Sequence, residues 1–450
     1  MHEALHERAI MLKLAPHLSR PLSIFTPLYK IWEKPYYRTG LKMYDLLAGK
    51  TNIGKSRSVS SQEAMKFFPK LKPENLQGGV IYFDGQFDDA RMNITLVKTA
   101  LNRGAVMLNY VAVTSLVHEE GQLAGAQLLD TLTKQHITVS AKCIINATGP
   151  FVDAIRTMDD VHAKPMLTVS SGAHVILKQK LCPNDLGFLI PKTDDGRVLF
   201  LLPWHEHTLA GTTDQPAEIE FNPKAKQDEI SYILHYFSKY FKTDFKNEDI
   251  LSTWSGLRPL VSNPDANNTA KLSRDHVIVK SKTGLITVTG GKWTTYRKMA
   301  QDTLDYAINE LAFTPAPCLT KDILLSGASG YQENLSDEIS HHYGLEDDIS
   351  QHLSHTYGSD AIDVAGFAKD GLKTRLHPQH PYIEAEIVYA MKNELAMRAS
   401  DILCRRTRLA FLDKNAAKSA APRVIELMQQ YYNWDKNKVI EEQNSWADIF

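Results

Sequence analysis

Residues 283–300 read Thr283-Gly-Leu-Ile-Thr-Val-Thr-Gly-Gly-Lys-Trp-Thr-Thr-Tyr-Arg-Lys-Met-Ala. The run from Leu285 to Thr289 is apolar and β-branched and predicts a strand. Gly290 and Gly291 follow at once. From Thr294 onward, apolar residues recur at helical spacing: Met299, Ala300, Leu304, Ala307, Ile308 and Leu311. A strand that turns on two glycines into a helix leaves the first N–H groups of that helix unpaired and facing outward. With the helix dipole they favour negative charge, and Lys292 adds a formal positive charge. The competing reading is a bare βα turn in which the glycines only relieve backbone strain. A second strand–Gly–helix junction tips the balance. In Lys142-Cys-Ile-Ile-Asn-Ala-Thr-Gly-Pro-Phe-Val-Asp a buried-type strand at 143–145 runs to Gly149, and Pro150 occupies a first helical position.

A length of 450 residues predicts two or three domains. The apolar content of 43% and charged content of 23% are ordinary for a globular protein. A net charge of −1 gives no global basic field to attract nucleic acid. Cys143, Cys182, Cys318 and Cys404 are scattered without a CxxC pair. That argues against structural zinc and a disulfide framework, and predicts buried thiols in a reducing compartment. No apolar run reaches transmembrane length. The N-terminus has no signal-peptide pattern; it reads as a helix already under way, so the chain is expected to start part-way through a larger domain.

Residues 2–14 fit a helix. Between 18 and 48, Phe25, Leu28, Tyr29, Ile31, Trp32, Tyr36 and Tyr37 interleave with Arg20, Lys30, Lys34, Arg38 and Lys42. Aromatic rings beside basic residues suit a membrane interface; a helical subdomain with inward aromatics and solvated lysines is the plainer alternative. A strand at 80–84 turns at Asp84-Gly-Gln, and Asp89-Ala-Arg-Met-Asn opens a helix that ends near Gly104. Strands are predicted at 105–118, 122–130 and 136–141, then at 167–178, 186–190, 197–202, 208–213 and 275–280, interrupted by a helix at 225–242. After about 320 the period becomes helical, with one long apolar-striped run at 383–412.

Some residues stand out as chemistry-bearing. Arg258, in Trp254-Ser-Gly-Leu-Arg-Pro-Leu, is held in a stiff frame between Gly256 and Pro259, which suits bidentate capture of phosphate or carboxylate. A structural salt bridge is the commoner fate of one arginine. Arg274 and His276 precede a strand. With Lys292 they offer cations on segments that could converge, and converging cations need an anion. His174, on an alternating strand, is a candidate base. Trp204-His-Glu-His resembles a metal site, but neighbours in extended chain face opposite ways, so a surface turn is the better reading. Arg297, at helical spacing, is as apt to face solvent as the cleft.

Asn146-Ala-Thr-Gly-Pro, Ser255-Gly-Leu-Arg-Pro-Leu, Gly290-Gly-Lys-Trp-Thr-Thr-Tyr-Arg, Asp84-Gly-Gln and Asp89-Ala-Arg-Met-Asn together resemble the FAD-dependent glycerol-3-phosphate dehydrogenases. Ser-Gly-Ala-His-Val, Leu-Pro-Trp, Ala-Gly-Thr-Thr-Asp, residues 381–386 and 405–412 are similar to the mitochondrial branch. The resemblance covers essentially the whole chain. It implies an α/β (α+β) architecture with three parts: a flavin-binding domain of the glutathione-reductase/D-amino-acid-oxidase type, an interleaved β-rich substrate domain and an α-helical C-terminal domain. The corresponding bounds are 1–160 with the 18–48 segment, 161–280, 281–315 returning to the flavin domain, and 316–450. The implied chemistry is oxidation of sn-glycerol 3-phosphate to dihydroxyacetone phosphate, with FAD as cofactor and a quinone as acceptor. A peripheral membrane surface, at the mitochondrial inner membrane, and a second copy of the chain are the further implied partners; nucleic acid is not. By motif position, Arg258, Arg274 and Lys292 match phosphate-binding cations. Ala147, Thr148, Gly149, Gly290, Gly291, Lys292, Trp293 and Thr294 match cofactor contacts. His174 and His276 are the candidates for the base that takes the hydroxyl proton.

The sequence departs from the family in three places. It has no Gly-x-Gly-x-x-Gly βαβ unit with its ribose-binding acid, no following Arg/Ser/His-Gly-Gly stretch and no EF-hand loop. Met1 matches the middle of a helix downstream of that unit. The expectation is a flavin domain missing its pyrophosphate cradle and an inner strand, which binds FAD weakly or not at all.

Overall fold

The computed structural model describes residues 2–49, 52–183, 185–261 and 276–449. In chain order the elements begin with α1 (His2–Leu14), β1 (Ser19–Leu28), α2 (Glu33–Ala48), β2 (Arg57–Val59), α3 (Ser61–Phe67), β3 (Gly78–Phe87) and α4 (Asp89–Leu101). Next come β4 (Val111–Glu119), β5 (Gln122–Asp130), β6 (His136–Ser140), β7 (Ile145–Asn146), α5 (Val152–Asp159), β8 (Leu167–Leu177), β9 (Leu186–Ile190), β10 (Leu199–Trp204) and β11 (His207–Gly211). They are followed by β12 (Gln215–Pro216), α6 (Gln227–Tyr240), β13 (Ile250–Val261), β14 (His276–Lys280), β15 (Ile286–Gly290) and α7 (Tyr296–Glu310). The C-terminal region is helical: α8 (Leu335–Tyr343), α9 (Asp347–Tyr357), α10 (Ala361–Phe367), α11 (Glu384–Asn393), α12 (Leu409–Leu412), α13 (Lys414–Tyr432) and α14 (Lys436–Ala447).

The large sheet runs β12-β8-β11-β10-β9-β1-β3-β2, with β13 paired antiparallel to β8. Its two faces follow the two-residue period of β8. Ala173, Val175 and Leu177 enter one core with Phe188, Leu201, Ala210 and, from α6, Ile233 and Phe237. On the other face Ile176, Trp204 and Trp254 pack against the C-terminal helices through Ile387, Leu403, Leu409 and Val424. A smaller sheet, β14-β15-β7, pairs β15 parallel to β7, and β4-β5-β6 forms a third. Among the described residues no strand pairs with the other edge of β7.

The structure corrects several expectations. The first half of the 18–48 segment is not helical. Residues Ser19–Leu28 form a strand that pairs with β3 over ten positions and with β9 in parallel. Pro21 and Pro27, unusual inside a sheet, hide it in the sequence. The large sheet therefore takes three strands, β1 to β3, from the part assigned to the first domain. The 383–412 run is broken: α11 stops at Asn393, and the chain turns at Leu395 and Arg408, both at positive φ. Apolar periodicity could not see this, because buried polar groups make the turn. Asp401 accepts the N–H groups of Met397 and Arg398, and Arg406 donates to the Glu394 carbonyl. All four cysteines are free, but only Cys182 and Cys404 are buried and Cys318 is exposed.

The helical region is tied to α4 by a buried ion pair. Arg91 Nη1 and Nη2 each donate to Glu394 at 2.8 Å, and the guanidinium lies 4.5 Å from the Tyr357 ring centroid. The Glu394 side chain is 0% exposed. Glu394→Gln is expected to cost about 3–5 kcal/mol of stability, because it strands a buried guanidinium; urea unfolding of the purified chain measures it.

Buried histidines give a second expectation. Burial and the nearby Arg91 push the His17 imidazole down to about 3. Burial and His207, stacked 5.6 Å away, push His380 down to about 4. Between the ordinary value near 6.5 and these values, the unfolded chain binds protons that the folded chain refuses. Stability therefore falls as pH drops from about 6.5 to about 4. His380→Phe should make that fall shallower in denaturation curves recorded across the range.

Candidate functional site

The face of β8 that carries Ile176 continues past the edge of the C-terminal helices and becomes polar. Register pairs Trp254 with His174, Gly256 with Gly172 and Arg258 with Ser170, so these six residues share one face. Arg258 reaches across β8 rather than along its own strand. Its Nη1 donates to the Ser171 carbonyl at 3.2 Å, and its Nη2 donates to Thr212 Oγ1 at 3.0 Å, beyond β8. Asp214 Oδ1 stands 3.6 Å from Nη1. Gly172 makes this crossing possible: a Cβ there would overlap the guanidinium and the Thr212 hydroxyl. The residues facing the cation are themselves anchored. Thr213 Oγ1 donates to the buried Glu229 at 2.5 Å and accepts from the N–H of Ala173 at 2.8 Å.

His174 stacks on Trp254, with centroids 5.5 Å apart and planes at 13°. Burial first, then the charge of Arg258, pushes its pKa down to about 4. The ring is therefore neutral near pH 7, and the lowered pKa makes it a weak base there. Its Nδ1 makes no hydrogen bond among the described residues.

β13 lies against both β15 and the turn at 149–151, so the Arg258 strand meets the two glycine junctions. At the first, Asn146 is buried. Its Nδ2 donates to the Val152 carbonyl at 2.9 Å, and its Oδ1 accepts from Thr148 Oγ1 at 2.8 Å. This fixes 147–149 at the mouth of the strand. Gly149 has φ +58° with open space above its α-carbon. At the second, Gly290 and Gly291 have φ +79° and +75°. A 3-10 turn (Trp293–Thr295) then leads into α7, and no side chain caps either start. Lys292 is exposed and forms no ion pair among the described residues.

Other candidates fall elsewhere. His276 Nε2 lies 3.1 Å from Asp302 Oδ2 on α7, and Asp302 also pairs with Lys298. His276 is thus held against the helix. Trp293 packs edge-on against Phe87 and Tyr296 in the cluster beneath the turn, so its ring supports the turn. Thr294 is half-buried at the turn. Arg274 lies outside the described residues. Arg297 does not face solvent: it is buried and donates to Glu7 on α1. The Trp204-His-Glu-His stretch is a hairpin turn, with His205 and Glu206 at positive φ. His205 Nε2 is tied to Asp88 Oδ2 at 2.8 Å, and no metal-holding cluster occurs among the described residues. Thr212, Asp214 and Gly172 carry no local signal of a site; they lie within Ala-Gly-Thr-Thr-Asp and Ser-Gly-Ala-His-Val, which mark only the family resemblance.

Two glycine turns, a long helix start and Lys292 between them fit the flavin end of a dinucleotide cofactor. The described residues contain no Gly-x-Gly-x-x-Gly turn to cradle its pyrophosphate. Gly172→Ala is expected to displace the Arg258 guanidinium from Thr212 and to cost about 1–3 kcal/mol of stability, the loss of a charge-assisted hydrogen bond. Urea unfolding of the variant checks it.

The FAD dependent oxidoreductase family model matches residues 1–297, and that for the C-terminal domain of alpha-glycerophosphate oxidase matches 318–439. The chain is 44% identical to the mitochondrial glycerol-3-phosphate dehydrogenase of Rattus norvegicus, over 98% of this chain and 62% of that protein. It is 41% identical to the mitochondrial enzyme of the same name from Arabidopsis thaliana, over 98% of this chain and 73% of that one. It thus spans about three fifths of the length of its curated mammalian relatives. The solved glycerol-3-phosphate dehydrogenase of Bacillus halodurans, complexed with FAD, superposes with a TM-score of 0.82 at 28% identity, over 99% of this chain and 84% of that one. The chain belongs to the FAD-dependent oxidoreductases, in the branch of the glycerol-3-phosphate dehydrogenases.

Proposed function

We propose that this chain forms the substrate-binding and C-terminal parts of an enzyme that oxidises sn-glycerol 3-phosphate to dihydroxyacetone phosphate. The observation that carries the reading is Arg258, held across β8 over Gly172 on a strand that itself packs against β15 and the 149–151 turn. A fixed guanidinium with Lys292 on the neighbouring turn suits a phosphate ester. Arg274 belongs to the same set by motif position. Ala147, Thr148 and Gly149 would border the cofactor on one side. Gly290, Gly291, Lys292, Trp293 and Thr294 would border it on the other, with the α7 N-terminus favouring negative charge there. FAD, when bound, supplies the hydride acceptor. His174, stacked on Trp254, and His276, with Asp302 Oδ2 3.1 Å from its Nε2, are the two candidate bases. A quinone acceptor and a second copy of the chain belong to the same reading.

Membrane attachment at the mitochondrial inner membrane would run through α2 and the residues before it. Ile31, Trp32 and Tyr36 are 80%, 60% and 67% exposed, beside Lys30, Lys34 and Arg38. Such a surface suits an anionic bilayer interface. It also supports a second reading, a non-catalytic module that binds membrane; liposome sedimentation by a chain that retains no flavin even when joined to a glycine-rich βαβ unit favours that one.

The deciding test is the absorbance spectrum of the chain after incubation with excess FAD and desalting. Because the free edge of β7 lacks a glycine-rich neighbour among the described residues, the chain alone is expected to retain little flavin. Joined to a glycine-rich βαβ unit, it should retain FAD that sn-glycerol 3-phosphate bleaches. In that form Arg258→Ala should raise KM by about a hundredfold, the loss of two charge-assisted contacts. An unchanged KM would remove Arg258 from the phosphate site.

A further inference from the structure

Arg258 does not wait for its ligand as a bare charge. Asp214 approaches it from the far side of β8, with Oδ1 3.6 Å from Nη1. This oxygen is buried and accepts no hydrogen bond among the described residues. The contact is therefore a loose Coulomb pair and not a closed bidentate bridge. The stem that carries Asp214 is rigid. Thr213 is bound to Glu229 and to the N–H of Ala173, and Gln215 pairs with Ser171 in β12. Thr212, one residue earlier, already supplies Arg258 with a neutral acceptor. Asp214 is thus not needed to hold the guanidinium in place; what it adds is a negative charge.

We infer that Asp214 is a resident counter-ion of Arg258 that weakens the site's affinity for a phosphate ester and so sets how firmly the ligand is held. The inference rests on the phosphate reading of Arg258 given above. A dianion arriving at the guanidinium meets the carboxylate across a few ångströms in a partly buried place, where like charges repel appreciably. The carboxylate lowers the charge of the empty site and opposes occupation of the full one. Removing its charge while keeping its shape should therefore tighten binding. A residue that only supported the fold would, on removal, loosen it.

The test uses the full chain and inorganic phosphate, titrated calorimetrically at fixed ionic strength. Asp214→Asn is expected to lower the phosphate Kd by about tenfold, a modest share of the repulsion between close charges. Asp214→Ser, which also removes the charge, should move Kd the same way and decides the matter if the asparagine variant folds poorly. Combined with Arg258→Ala, neither change should tighten binding. Arg258-dependent binding that both Asp214 variants leave unchanged or weaken overturns the counter-ion role alone. Phosphate binding that is absent or indifferent to Arg258 overturns the phosphate reading and this inference together.

Discussion

Strand β8 has two faces with different neighbours, and most of the molecule is arranged by that fact. Ala173, Val175 and Leu177 are drawn to α6 by burial of apolar surface. Their alternates cannot follow them. Ile176 is covered by the C-terminal helices, His174 lies at the edge of that cover against Trp254, and Gly172 and Ser170 lie beyond it. One strand therefore passes from core to site within seven residues. A one-residue slip would exchange the two faces and destroy both.

The C-terminal helical region matters to the site through this packing. It covers Trp254 with Phe411, whose ring meets it edge-on at 5.2 Å, and Ser252 Oγ donates to the Ala410 carbonyl at 2.9 Å. Arg408, held in a left-handed conformation, lies over Trp204 and Phe411 and pairs with Asp89 at 3.2 Å. The Arg91–Glu394 pair fixes the same region to α4. Buried pairs of this kind add little net stability over apolar packing, but removing one partner leaves the other charge buried and uncompensated. The site face is shaped by a region that contributes no residue to the proposed phosphate contacts.

Much of the architecture was legible in the sequence because it is written in short-range patterns. The two glycine junctions, the alternating strands from 122 to 140 and 167 to 211, and α1 and α6 all appear where period and turn chemistry place them. The hidden elements have a common cause. β1 carries two prolines and a mixed aromatic–basic composition, and it becomes a strand because β3 and β9 lie on either side of it. The bend after α11 is made by buried carboxylates and arginines whose partners are hundreds of residues away or on the next turn. His276 reads as a candidate for a cleft until Asp302 claims it, and Arg297, which could equally have faced solvent, is buried against Glu7.

The sequence by itself determined the family and the two glycine turns, since each depends on residue types at fixed local spacing. Only the tertiary structure decided which charges are available. Arg258 lies across β8 because Gly172 leaves room for its guanidinium and Thr212 meets it. Asp214 faces it because the β11–β12 connection passes on the other side of β8. Charge is a property of a residue, but its availability depends on what stands within a few ångströms, and that is set by the packing of strands distant in the chain.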